Sequence, residues 1–166
     1  MRTTLAAGFA LALAAAVPAM AQTAAPPPPA AATVEAAPAD VASMDAIMAA
    51  LYDVISGDAG QARDWNRFRS LFWPGATMVP TGVDKEGHFR ARLYTPDDYI
   101  ARNGPYFAQH AFFERELARR TERFGAIAQV FSTYESRDAR DAARPFERGI
   151  NSIQLLNDGK RWWITA

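Results

Sequence analysis

Apolar residues change their spacing several times along this chain. Met44, Met48, Leu51 and Ile55 recur at helical intervals, and Ile47 and Val54 widen the stripe. Ser43 stands where an N-cap belongs and Asp45 lies in the first turn, where the helix dipole favours an anion. Gly57 is placed to close this helix as a left-handed cap. A second, shorter helix follows, with Asp64 as its cap, Trp65, Phe68 and Phe72 on one side, and Pro74-Gly75 as its stop. Residues 76–80 read as a short strand. Residues 88–94 alternate, with Phe89, Ala91 and Leu93 on one face and His88, Arg90, Arg92 and Tyr94 on the other, a strand period. Thr95-Pro96-Asp97-Asp98 is the clearest helix start, joining a cap, a first-turn proline and two carboxylates. Gly104-Pro105 ends or interrupts that helix.

Residues 111–124 carry the Glu, Arg, Ala and Leu of a helix, and Glu116 and Arg120 stand at pairing distance on one. Residues 127–136 are β-branched and aromatic and read as a strand. A charged loop covers 137–145, and 146–156 is another strand. Asn157-Asp158-Gly159 is a hairpin signal, and residues 161–166 begin the returning strand.

The N-terminus has a different character. Arg2 precedes an apolar run from Leu5 to Val17, and Ala19-Met20-Ala21 follows. A basic start, a short apolar run and an A-x-A site predict a signal peptide over residues 1–21, cleaved after Ala21. The run is too short to span a bilayer, which takes about 20 apolar residues. Residues 22–39, almost all Ala, Pro and Thr around Pro26-Pro27-Pro28-Pro29, predict a disordered, polyproline-prone tether. One domain over 40–166 remains.

Composition narrows the function classes. There is no cysteine among 166 residues, which excludes disulfides, thiolate metal sites, cysteine nucleophiles and a lipid-bearing N-terminal cysteine. Eighteen basic residues balance eighteen acidic ones, and loss of Arg2 leaves a formal charge of −1. That balance lacks the basic footprint of a nucleic-acid partner. These features predict a periplasmic or secreted protein with no membrane insertion after cleavage.

Four stretches carry a family resemblance: residues 64–72 (DWNRFRSLF), 124–135 (FGAIAQVFSTYE), 148–155 (RGINSIQL) and Trp162-Trp163-Ile164. Together with the element order they resemble the nuclear transport factor 2-like superfamily, in an exported bacterial branch. The resemblance covers about residues 40–166 and speaks more to fold than to function. It implies an α+β fold in which a curved, mixed, mainly antiparallel sheet wraps three helices into a cone-shaped barrel. Under it, residues 111–124 become the long third strand, against their local helix propensity. Members usually carry a longer last strand, so a sequence truncated at its C-terminus is one expectation. They often dimerise through the outer sheet face, so a homodimer is another.

Enzymes of that superfamily work inside the cone, where apolar walls perturb a few acids and bases. In ketosteroid isomerase, a standard worked case, an Asp base acts with a Tyr and a protonated Asp. The corresponding first strand here, residues 76–80, carries no acid, so that mechanism does not carry over. The candidate catalytic residues are His110, near the expected cone mouth, Glu114 and Tyr134. Glu114 and Glu116 are two apart, so a strand puts both on one face. Arg148 and Asn151 are three apart and fall on opposite faces. The candidate ligand-binding residues are Tyr52, Trp65, Phe72, Tyr99, Phe107 and Phe112, core aromatics that could also line an apolar pocket. His88 and His110 make no metal motif, and no cofactor or nucleotide loop is expected. Three readings stand open. The first is a module binding a small apolar molecule. The second is an acid–base isomerase, cyclase, dehydratase or hydrolase. The third is a sheet-mediated dimeric scaffold.

Overall fold

The structure is a computed structural model and describes residues 34–166. The predicted signal peptide and the Pro26–Pro29 block lie outside the described residues. Packing is already present before the expected boundary at residue 40, since Ala36 lies on the core and the first helix opens at Pro38.

Among the described residues four helices occur, α1 (Pro38–Val41), α2 (Met44–Ile55), α3 (Trp65–Ser70) and α4 (Pro96–Phe107), where three were expected. Ser43 caps α2 by accepting from the Ala46 N–H at 3.0 Å, and Asp64 caps α3 through the Arg67 N–H at 2.8 Å. Thr95 and Asp98 close a reciprocal capping box on α4. Each satisfies orphan donors of a first turn.

The main sheet is antiparallel in the order β3 (Phe113–Phe124), β4 (Ile127–Arg137), β5 (Glu147–Asn157) and β6 (Trp162–Ile164). A separate hairpin joins β1 (Thr81–Val83) to β2 (Phe89–Ala91). Neither sheet closes into a barrel. The stripe of α2, chiefly Ile47, Met48 and Ile55, joins Ala128, Val130, Ile153 and Leu155 of the sheet and Trp162 and Ile164 of β6 in one core. Alternation along each strand therefore gives one inner face and one outer face.

Register decides which polar residues join that core. On the inner face Ser136 stands between Glu114 and Glu147, and Ser132 between Arg119 and Asn151. A bulge lies between Glu116 and Ala118. On a regular strand Glu116 and Arg119, three apart, would face opposite ways; the extra residue turns both inward. Gly149 lies opposite Tyr134, and a Cβ there would stand 2.5 Å from the Tyr134 hydroxyl, so the missing side chain makes room for the ring. Outside, Arg115, Arg137 and Arg148 converge on Glu135, whose side chain is 1% exposed. Its cover is these arginines, and their hydrogen bonds, led by Arg137, pull its carboxyl down to about 2.

Several local expectations need correction. Residues 76–80 form no strand, only a bridge from Met78 to Tyr94, because the chain there pairs too briefly. Residues 88–94 shrink to the three-residue β2, exposed throughout, and Phe89 is 87% exposed, so its alternation marks no buried face. Helix α4 runs through Gly104-Pro105 to Phe107; Pro105 sits in the last turn, where one lost bond is tolerable. Helix α2 is not closed by Gly57. It ends at Ser56 in extended conformation, and the buried Arg63 guanidinium takes the carbonyls beyond. Residues 113–124 are indeed strand, since pairing along the whole of β4 outweighs local helix propensity.

Candidate functional site

A groove of about 480 Å³ opens between the C-terminal half of α2 and the bulged end of β3. Helix α2 contributes Tyr52 and Ser56, β3 contributes Glu114, Glu116 and Arg119, and the end of β4 with its following loop contributes Arg137 and Arg140. The walls are stitched together. Ser56 Oγ donates to the Tyr52 carbonyl at 2.7 Å and accepts from the Glu114 N–H at 2.9 Å. Helix end and strand thus hold one another along the groove wall.

Glu114 sits inward, with Ser136 Oγ donating to its Oε2 at 2.9 Å. Burial raises its carboxyl from 4.5 to about 7; the Ser136 hydroxyl opposes the rise and the nearby Glu147 carboxylate adds to it. Tyr134, also on the inner face, is pushed up to about 12, first by burial and then by Glu147 and Glu114. Burial likewise raises Tyr52 and Tyr99.

Beside Glu114 runs a polar chain with a defined direction. Ser132 Oγ donates to Glu116 Oε1 at 2.6 Å. A serine has one proton, so in its 2.7 Å contact with Tyr52 it accepts, and the tyrosine donates. Asn151 Nδ2 then donates to the Tyr52 oxygen at 3.2 Å. At the other end Arg119 grips Glu116 Oε2 through Nε at 2.9 Å and Nη2 at 2.6 Å, and reaches Asp45 at 2.8 Å. Glu116 is therefore a held carboxylate, while its neighbour Glu114 has no cation on it. Two carboxyl groups on one strand face are thereby given different surroundings, one gripped by an arginine and one buried without a cation.

The structure separates the sequence-predicted residues. Tyr52 and Glu114 line the groove, and Tyr134 stands on the same inner face. His110 does not join them. It is exposed just past the end of α4, its ring stacked 4.4 Å from Tyr106 and its Nδ1 on the Tyr106 carbonyl, and it does not line the groove. Trp65, Tyr99, Phe107 and Phe112 are spent on core packing. Trp65 stacks on Phe107 at 6.1 Å, Phe107 meets Phe112 at 5.1 Å, and Phe68 lies 5.1 Å from Tyr99. Phe72 packs on Phe68 and borders a smaller groove of about 280 Å³ with Trp73 and Trp163. The main groove is thus mixed, with charged side chains beside Tyr52 and Phe113, and of the aromatics expected to line a pocket only Tyr52 borders it. As the spacing required, Arg148 faces outward to Glu135 and Asn151 inward to Tyr52.

Sequence reading missed Ser56, Ser132, Ser136 and Arg140. A signal existed for two of them: Ser132 and Ser136 occupy core-facing positions in the alternation that includes Ala128 and Val130. Small hydroxyls on a buried row must bond something. In the β1–β2 turn, Asp84, Glu86 and His88 bring ligand-type atoms within 4.8 Å of one another. The Asp84 carboxylate is engaged there by the N–H groups of Glu86 and His88 and by Arg90, so it serves as a turn clasp. Among the described residues no helix is long and apolar enough to cross a membrane. The chain matches no family model, no curated protein and no solved structure.

Proposed function

We propose that this chain is an exported nuclear transport factor 2-like domain that binds a small molecule in the α2–β3 groove and exchanges a proton with it through Glu114. The observation that carries the reading is Glu114 itself, a carboxyl without a cation, facing an open groove and poised near neutrality. The order of helices and strands, and the packing of α2 against the inner sheet face, support the family. The reaction class is one that a single carboxyl can serve, isomerisation, dehydration, cyclisation or hydrolysis. Tyr52 gives its proton to Ser132, so it orients the wall and leaves Glu114 as the group that meets the ligand. Carbon-13 titration of the glutamate carboxyls tests this directly. One resonance, absent from Glu114→Gln, is expected to titrate near 7. A Glu114 resonance with its midpoint near 4.5 removes it as the proton-exchanging group.

A second reading has its own observation. The outer sheet face exposes Ile127, Phe131 and Ile150, a run of apolar side chains suited to pairing with a second copy. Sedimentation at rising concentration is expected to show a dimer that Phe131→Glu dissociates. A monomer at every concentration ends the pairing reading.

A further inference from the structure

We infer that the α2–β3 groove accepts a small monocarboxylate, its charge held by Arg140 at the rim and its body against Phe113. This deepens the preceding proposal and rests on that groove being the ligand site.

The argument is a count of cations and their partners. Arg115, Arg119, Arg137 and Arg140 all line the groove. Arg119 is consumed by Glu116 and Asp45. Arg115 and Arg137 share the single carboxylate of Glu135 with a third arginine, Arg148. Arg140 has no ion pair among the described residues. Its guanidinium lies 4.9 Å from the Phe113 ring centre, a contact that holds it over the groove wall. The rim is therefore cation-rich, with one guanidinium free and aimed by an aromatic ring. Asp138 and Asp141 share its loop but are exposed and unpaired to it.

The same count sets the ligand's charge. Asp53, the other acid on the groove wall, is bound by Arg67. Glu114 faces Tyr52 and Ser56 from α2, Ser136 and Tyr134 from β4, and Glu147 and Asn151 from β5, with Glu116 beside it on β3 and Tyr99 reaching it from α4. None of these is a cation. A single carboxylate matches the unpaired Arg140 one to one, whereas the second charge of a dianion would have to draw on Arg115 or Arg137, whose guanidinium groups already bond Glu135. The Arg–carboxylate fork is also the geometry a planar guanidinium binds best. Once seated, the anion disfavours a second negative charge on Glu114, so binding draws a proton onto that carboxyl and weakens as pH rises above about 7. The bound molecule then meets Glu114 in its acid form.

Benzoate tests this, with benzyl alcohol as its uncharged counterpart and inorganic phosphate, compared at pH 8 where it is mostly doubly charged, as a dianion. Nitrogen-15 NMR titration of the purified protein is expected to show benzoate shifting Ser56, Phe113 and the Arg140 side chain. Arg140→Gln, an exposed change away from the core, is expected to weaken benzoate about five- to tenfold and leave the fold intact. Affinity is expected to fall between pH 6 and pH 8. Benzyl alcohol binding as tightly as benzoate, or an Arg140→Gln protein binding benzoate unchanged, overturns the carboxylate inference while the groove survives as a ligand site. Phosphate outcompeting benzoate overturns it in favour of a dianion. No shift from any probe overturns it as well, and the carboxyl titration of Glu114 then judges the proton-exchange reading separately.

Discussion

Glu114→Gln is expected to stabilise the protein at pH 8 and to leave it unchanged below about pH 4. The folded carboxyl titrates at about 7 against 4.5 for a free one. Below 4.5 both folded and unfolded chains carry the proton and the site costs nothing. Between 4.5 and 7 the unfolded chain has lost it while the folded chain keeps it. The unfolded state then binds fewer protons, and stability falls as pH rises. Above 7 the whole penalty is present, because the folded state must hold a charge in a site that disfavours it. At 1.36 kcal/mol for each tenfold step the ceiling is about 3 kcal/mol, and part of the side chain reaches solvent, so about 2–3 kcal/mol is the expected gain at pH 8. Urea unfolding of both proteins at several pH values checks it. The difference between the two curves isolates Glu114 from groups that titrate in common, such as Glu135 and Asp158, whose lowered values act in acid. Two curves that stay parallel from pH 5 to pH 8 would sink the assignment.

Such a penalty bears on function. A carboxyl that costs stability at working pH is a poor structural device, and Gln or Leu would pack as well. Glu116, one pleat further along the same strand, shows the structural alternative, a carboxylate fully held by Arg119. The strand keeps one carboxyl for architecture and leaves the other without a cation, a trade that sites of chemistry commonly make.

Local signals in the chain announced the helices well and the groove poorly. Ser43, Asp64 and the Thr95–Asp98 box were legible because a cap involves neighbours in sequence. The strand over residues 113–124 was not legible from propensity, since its reason is the partner strand β4; only the family resemblance pointed to it. That Glu114 and Glu116 share a face followed from their spacing; that the face is the inner one did not, because it depends on what packs against the sheet. The pairing of Glu116 with Arg119 did not, because it needs the bulge at Leu117, and a bulge is set by tertiary pairing. The aromatics misled for a related reason. Sequence shows that Trp65, Phe107 and Phe112 are apolar, but whether they face a cavity or each other depends on how closely α3, α4 and the start of β3 approach. They face each other, and the space left open is lined by residues that a hydropathy pattern passes over.

Arg63→Met is expected to cost about 3 kcal/mol. Arg63 is only 7% exposed. Its Nε donates to the Ile55 carbonyl at 2.8 Å, its Nη2 to Gly57 at 2.7 Å, and its Nη1 to Gln61 at 2.7 Å and Asp58 at 3.3 Å. One guanidinium thereby satisfies carbonyls that the end of α2 and the following turn leave without partners, and its charge sits where the helix dipole favours a cation. Methionine fills comparable volume and offers no donor, so those acceptors stay unmet. Gly57 belongs to the same device, because a Cβ there would stand 2.6 Å from Arg63 Nη1. Gly57→Ala is accordingly expected to destabilise by about 2 kcal/mol, mostly by displacing the guanidinium. The double variant should then lose clearly less than the two single losses combined, since each removes the same clamp. Urea denaturation of the four proteins measures this, and strict additivity would mean that Gly57 and Arg63 act separately. The clamp also fixes Ser56, which ties α2 to the backbone of Glu114. Loosening it should let water reach the groove and bring the Glu114 titration down from about 7 toward the ordinary carboxyl range, linking the end of a helix to the proton the site holds.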